Sequence, residues 1–417
     1  MKGSVIDPTE SRSIEGEGYM KKISAFLSKA IGFIYVFFLY HSRKNAKVSN
    51  GKILIIVSGH LGNLLMDVHA LYDLKNYYLS KNKQVYILTS SNIWKLMNRC
   101  FDFSDAIFAT DQFPYDKKKI LHLSKYRKML KSLPDSAYEV IVANLTSGYT
   151  ADFLMASLKA NEKWGVFPDS GRSDWRTYFR RAYTNKIMVD KDLHETQQLK
   201  LLLKQIGGID HVVRITPIPP KEDIRFDGKY ITLALDSMSK ERRWPVENFV
   251  SFAEYVLAHS DYDVYLTGTK LDKKDDEKLT ALRANARVKD YIGKTTMDEW
   301  IEMLRGSSFH LSVDSGSIHF AASVGTPCVC LSGVWDGTRC MPYVLDAENE
   351  GTCNPVCVYR EDHLKATAGC YGCRMSHGFY GVGNDACMKD IKAGQPCHCL
   401  SKISADRAAA AFESIMR

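Results

Sequence analysis

Lys52-Ile-Leu-Ile-Ile-Val57 is a near-continuous apolar run, followed by Ser58-Gly-His-Leu-Gly62 and then the helical pattern Asn63 to Leu71. A strand apolar on both faces fits a parallel sheet covered by helices on both sides. Val85-Tyr-Ile-Leu-Thr89 and Glu139-Val-Ile-Val-Ala-Asn144 repeat the pattern, with helical stretches between them. Thr216-Pro-Ile-Pro-Pro-Lys-Glu-Asp223 then interrupts it, and this proline density predicts a stiff linker over 216–228. Beyond it the alternation restarts: strand Tyr230–Leu235, helix Val246–His259, strand Asp263–Thr267, and strands Phe309–Val313 and Pro327–Leu331. The chain therefore reads as two α/β domains, 51–215 and 229–417, each built on a parallel sheet. Ligands of such sheets bind at the carboxyl ends of the strands, which places a site in the cleft between the domains.

A length of 417 residues, 45% of them hydrophobic and 25% charged, suits two folded domains and excludes a disordered or fibrous chain. The net charge of +8 is localised: residues 20–50 carry six bases and no acid. Residues 1–19 carry two bases and four acids, so +4 is left for the rest, weak for a nucleic-acid binder of this size. Within the leader 1–50, Ala30 to Tyr40 is an eleven-residue uncharged run between Lys21-Lys22 and Arg43-Lys44. It is too short to span a bilayer, which takes about 20 residues. A domain-covering helix, an interfacial membrane helix with basic flanks, and a cleaved signal all fit it, and Met20 is an alternative start.

Three loops carry chemistry. In Leu311-Ser-Val-Asp-Ser-Gly-Ser-Ile-His319 a strand ends at Asp314 and a helix opens at Ser315 and Gly316. N–H groups at a helix start bind a diphosphate, a glycine lets it approach closely, and His319 lies in the first turn. The plain reading is a helix cap. Asp236-Ser-Met-Ser-Lys-Glu-Arg-Arg-Trp-Pro245 places Lys240, Arg242 and Arg243 between a strand and a helix, where cations suit a phosphate or form a solvated loop. Tyr291-Ile-Gly-Lys-Thr-Thr296 leads into an amphipathic helix with Thr295 or Thr296 as its cap.

In this order and spacing these stretches resemble the glycosyltransferase family 9 heptosyltransferases. The matching residues are Arg242-Arg-Trp-Pro245, Thr267-Gly268, Gly293-Lys-Thr-Thr-Met297 and Asp314 to Pro327, with Gly62, Asn144-Leu-Thr-Ser-Gly148, Trp164-Gly-Val-Phe167 and His194-Glu195 in the first half. The resemblance covers about residues 50–415. It implies the GT-B fold, two Rossmann-like domains facing across a cleft. It also implies inverting transfer from a nucleotide-diphosphate sugar, usually ADP-heptose, to a glycan without a catalytic metal. Carried over by position, Asp314, Ser315, Gly316 and His319 would hold the donor's ribose and diphosphate, and Ser237, Lys240, Arg242 and Gly268 would line the same site. Arg242 stands where the family usually has a lysine, and Thr295 would border the adenine. The family usually has Gly-Asp at the first turn, that Asp being the general base. This chain has Gly62-Asn63, and an amide accepts no proton at neutral pH. Asp67 and Asp111 are the leading substitutes, His60 a weaker one; otherwise Asn63 positions an acceptor activated from elsewhere, or the protein binds donor without fast turnover.

Seven of the 11 cysteines fall within 353–399. Cys370-Tyr-Gly-Cys373 is the half-site spacing of a tetrahedral thiolate centre, and Cys387 with Cys353 or Cys357 could complete it. A nucleotide-sugar donor implies the cytosol, where disulfides are rare, so a structural metal is favoured over free thiols. Zinc is the default; iron is credible because the autotransporter branch of the family carries a four-cysteine iron finger near this place. Basic residues Lys117 to Lys131, and Arg172, Arg176, Arg180 and Arg181 around Trp175, Tyr178 and Phe179, suit an anionic glycolipid acceptor or lipid headgroups. The expected enzyme is thus cytoplasmic, peripheral on the inner membrane face, and acts on lipopolysaccharide core or a related glycan. Its rivals are the same fold with another nucleotide sugar or a protein acceptor, and a catalytically silent nucleotide- or glycan-binding homologue.

Overall fold

The computed structural model describes residues 30–42, 48, 50–57, 61–108, 123–143, 148–168, 175–190, 193–237, 242–333, 339–360, 387, 389–390, 393 and 395–417. Two six-stranded sheets organise it, and every pairing in both is parallel. The first holds β1 (Lys52–Ile56), β2 (Gln84–Leu88), β3 (Ile107–Phe108), β4 (Ala137–Ala143), β5 (Lys159–Pro168) and β6 (Asn185–Val189), ordered 3-2-1-4-5-6. The second holds β7 (Tyr230–Ala234), β8 (Asp263–Thr267), β9 (Val288–Asp290), β10 (Phe309–Val313), β11 (Cys328–Leu331) and β12 (Val356–Val358), ordered 12-11-10-7-8-9. Counted from β7 this is the same order, that of the dinucleotide-binding sheets. In each half the order reverses between the first and fourth strands, so each crevice opens beyond β1 and β4, or β7 and β10.

The apolar runs form the strands because both faces are covered. Ile53 and Ile55 face one side of the first sheet, with Leu64, Val68 and Leu71 of α2 (Leu61–Ser80). Leu54 and Ile56 face the other, with Leu154 and Phe179 and with Val36 of α1 (residues 30–42). The leader helix thus covers the domain, with Phe33 against Phe179 at 4.9 Å. Three further helices of this half are α3 (Ser91–Cys100), α4 (Leu123–Ser132) and α5 (Gly148–Ser157), and α6 (Glu195–Gly207) ends it. The second half adds α7 (Val246–His259), α8 (Met297–Gly306), α9 (Gly316–Ser323) and α10 (Ala405–Met416). Residues 208–229, which include the proline stretch, contain no helix or strand.

The two halves share a core. Ile301 and Leu304 of α8 and Phe320 and Val324 of α9 belong to the same buried cluster as Ile53, Leu64 and Val68. Beside the linker, Arg99 of α3 pairs with Asp298 at 2.8 Å and with buried Glu302, and donates to the carbonyl of Pro219 at 2.9 Å. Lys221 reaches Asp298 at 2.5 Å. No helix among the described residues is long and apolar enough to cross a membrane.

Candidate active site

α2 and α9 pack alongside each other across the domain boundary, with their first turns in contact. A methyl group added to Gly62 would lie 2.8 Å from the Gly316 Cα and 2.9 Å from His319 Cδ2. Glycine is required at 62 because the two main chains leave no room for a side chain. Both helices present their first N–H groups to this point, and with them the positive ends of two helix dipoles. Ser315 makes no side-chain cap bond to α9. Its Oγ instead bonds the hydroxyls of Ser312 and Ser317, at 3.2 and 3.0 Å. Asp314, at the end of β10, is buried beside them.

The second crevice is shaped by two further loops. Gly268 has φ +139°, and a Cβ there would meet the Asp236 carboxylate at 2.7 Å. Asp236 accepts from the Thr269 N–H at 2.9 Å and from its hydroxyl at 2.5 Å, locking the loop after β7 to the loop after β8. Ser237 is buried. Arg243 donates to the Ser237 carbonyl at 3.2 Å and pairs with Asp272 at 3.4 Å, while the half-buried Arg242 precedes it. Trp244 anchors the loop through Nε1 to the Ile403 carbonyl at 2.8 Å. Thr296, not Thr295, caps α8, with Glu299 completing a reciprocal capping box; Thr295 is half-buried beside it.

Around the helix tips lies a buried polar group that sequence reasoning did not assemble. His319 Nδ1 and the Tyr343 hydroxyl are 2.7 Å apart, and the His194 ring lies 6.0 Å from Tyr343 on its own side. Burial holds His319 neutral, its pKa down to about 3, and neighbouring His194 lowers it further. Burial likewise lowers His194 to about 4. The site thus receives hydrogen-bonding imidazoles, not cations. Glu195, the first residue of α6, is buried between both halves. It accepts from Asn63 Nδ2 at 3.3 Å and pairs with Arg339 Nη2 at 3.1 Å, and its N–H donates to the Arg339 carbonyl at 2.9 Å. The signal available in sequence was His194-Glu195 at a helix start, with no indication that it folds against Asn63.

The expected residues divide accordingly. Asn63, Ser237, Arg242, Gly268, Thr295, Asp314, Ser315, Gly316 and His319 lie at the carboxyl ends of the strands or the helix starts that follow them. Asp67 lies one turn further along α2 and is fully buried, with 0% exposure. That position sets it one turn behind Asn63 and the helix start. Asp111, Lys240 and His60 lie outside the described residues.

The cysteine set is split by the pleat of the second sheet. Cys328, Cys330 and Cys357 face one side of β11 and β12, packed with Met341 and Tyr343, and Cys353 lies near them. Cys387, Cys397 and Cys399 pack on the other side, against the core with Val329 and Leu331. Cys353 and Cys357 are therefore separated from Cys387 by alternation along the strands. Cys370 and Cys373 lie outside the described residues, and among those described no group of three or more His, Cys, Asp or Glu is placed to hold a metal ion.

A sequence model described as glycosyltransferase family 9 (heptosyltransferase) matches residues 126–362. The chain belongs to glycosyltransferase family 9. Lipopolysaccharide core heptosyltransferase OpsX of Haemophilus influenzae is 22% identical over 261 residues, 60% of this chain and 71% of the relative. A glycosyl transferase family 9 structure from Veillonella parvula superposes with a TM-score of 0.61 at 17% identity, covering 89% of this chain and 99% of that one. ADP-heptose lps heptosyltransferase II of E. coli gives 0.56 at 14% identity, over 88% and 98%. This family 9 chain is a glycosyltransferase with the GT-B fold, and the cleft between its sheets is where its helix tips converge.

Proposed function

We propose that this glycosyltransferase moves heptose, with inversion, from ADP-heptose to an anionic bacterial surface glycan such as the lipopolysaccharide core. The observation that carries the reading is the convergence of the α2 and α9 N-termini at Gly62 and Gly316. Main-chain N–H groups and two dipole ends suit a diphosphate, whose charge grows as it leaves. Asp314 would take ribose hydroxyls, Ser315, Gly316 and neutral His319 the phosphates, and Arg242 would add a cation. Heptose and adenine rest on similarity: E. coli heptosyltransferase WaaC, 14% identical with TM-scores of 0.51 and 0.54, has been solved with ADP and with an ADP-2-deoxy-2-fluoro heptose.

Calorimetric titration of the purified protein with ADP, ADP-heptose, UDP, GDP and their common sugars tests this. Selective binding of the adenine series supports it. Selective binding of UDP or GDP sugars keeps the fold and replaces the donor.

Asn63 favours one other reading, a homologue that binds donor without turnover. A large gain of activity in Asn63→Asp, over an inactive parent that binds ADP-heptose, would favour it.

A peripheral membrane contact completes the proposal. α1 exposes Ile31, Ile34 and Phe38, at 51, 52 and 66%, in one i, i+3, i+7 stripe. Beside it Arg127 of α4 lies 5.7 Å over the Tyr35 ring, and Lys125, Lys128 and Lys131 are exposed on the same helix. Neither helix carries an acid. An apolar stripe flanked by cations suits an anionic lipid surface. At the edge of the cysteine-rich segment Cys387 accepts the His398 N–H at 3.3 Å, a contact within the second half.

A further inference from the structure

We propose that Glu195 accepts the proton of the attacking hydroxyl, standing in for the acid that the family places where this chain has Asn63. The inference rests on the donor reading above. Asn63 is the third residue of α2, partly exposed at the helix tips. Its amide nitrogen donates to Glu195 Oε2 at 3.3 Å, so Asn63 is a positioning residue for a carboxylate that arrives from a different helix. Arg339, from the second half, holds the other oxygen at 3.1 Å. The glutamate is therefore fixed from both sides of the cleft. A carboxylate oxygen accepts more than one hydrogen bond, so Oε2 retains a lone pair beside the Asn63 contact.

The other described acids near the tips have different settings. Asp67 is fully buried one turn further along α2, and Asp314 follows β10 on the α9 side. Glu195 is the described carboxylate bonded to residue 63 itself.

The step balances as follows. The acceptor O–H proton passes to Glu195 Oε2. The oxygen's electron pair forms the new bond to the anomeric carbon, from the face opposite the leaving group. The bond from that carbon to the phosphate oxygen breaks, its pair departing with the nucleoside diphosphate at the start of α9. Glu195 then returns the proton to water.

The test uses the full-length protein, with ADP release from ADP-heptose as the readout and heptose-free lipopolysaccharide core or water as acceptor. Glu195→Gln should lower kcat by about 100-fold or more while the ADP-heptose Kd stays within about threefold and the circular dichroism spectrum is unchanged. Glu195→Asp should fall between the two. The double variant N63D/E195Q should recover about tenfold or more over E195Q, because it puts a carboxylate back at the family's position. E195Q should also remove the acid limb of the kcat/KM profile, a change that loss of packing alone does not produce.

The assignment is overturned if E195Q turns over within twofold of the parent. It is overturned if E195Q loses donor affinity in step with turnover, which would make Glu195 a domain tie through Arg339. It is overturned as well if the parent binds ADP-heptose but releases no ADP until N63D is introduced. Failure of the parent to bind ADP-heptose at all would instead remove the donor reading, and this assignment with it.

Discussion

At position 62 a single methyl group has nowhere to go. Its neighbours are the Gly316 main chain and the ring of His319, which is buried and bonded to Tyr343, so neither yields cheaply. Gly62→Ala should lower kcat/KM by about tenfold or more, with a loss of about 1–3 kcal/mol in stability, measured by ADP release and by thermal unfolding. The buried histidines give a second expectation. His310 and His319 are each lowered to about 3 by burial, and His194 to about 4, whereas an unfolded histidine titrates near 6.5. Between those values the unfolded chain binds more protons, so the stability they confer is complete above pH 6.5 and is lost as pH falls toward 3. Each contributes a slope of about 1.4 kcal/mol per pH unit. Asp152 works in the opposite sense: burial raises it to about 6, so its carboxylate costs stability as pH rises from about 4 to 6. Three histidines against one such aspartate should make Tm fall from pH 6.5 to 4.5, and His310→Gln should flatten the fall. A flat profile in the parent would contradict the buried neutral state.

Among the elements, α1 and the cysteine segment carry the sharpest expectations. Ile34→Glu with Phe38→Glu should abolish cosedimentation with phosphatidylglycerol vesicles while leaving ADP-heptose affinity intact; binding that survives both substitutions would remove the membrane contact. The metal reading of the cysteine segment predicts about one zinc or iron per chain by elemental analysis, reduced by Cys370→Ser or Cys387→Ser, because Cys370-Tyr-Gly-Cys373 has the spacing of a thiolate half-site; a metal-free protein of full stability would leave those cysteines as packing residues. Strands that sit centrally were legible because burial on both faces writes an apolar run, as in β1, β7 and β10. β5, β6, β9 and β12 were not. β5 mixes Lys159, Glu162 and Lys163 with Trp164 and Val166, β6 leaves Met188 63% exposed, and β9 and β12 have three residues each. Too little of their surface is buried, or too few residues are involved, for periodicity to mark them. Helix-start residues that act through chain direction, such as Gly62 and Gly316, were readable from the strand-turn-helix pattern. Glu195, Arg339 and Tyr343 were not, because what gathers them is packing between halves 140 or so residues apart in the chain.

On the scale of the whole molecule, the shared core decides how the domains behave. Side chains of α8 and α9 lie in the cluster under α2, and the linker edge is tied by Arg99 and Lys221 to Asp298 and Glu302. Apolar interfaces of this kind oppose free relative motion and couple unfolding. Calorimetry should therefore show one cooperative transition with equal calorimetric and van't Hoff enthalpies. Arg99→Ala should lower its midpoint by several degrees, since it withdraws one cation from the buried Glu302, and two separated transitions in the parent would show that the halves melt independently.

The meeting of Gly62 with Gly316 has a consequence for how such proteins are recognised at all. Where the floor of a cleft is main chain, selection acts on the absence of atoms, and a comparison of residue types finds little to compare. Chains 14 to 17% identical to this one keep its architecture over nearly their whole length. A fold can be inherited while most of the side chains along it are exchanged.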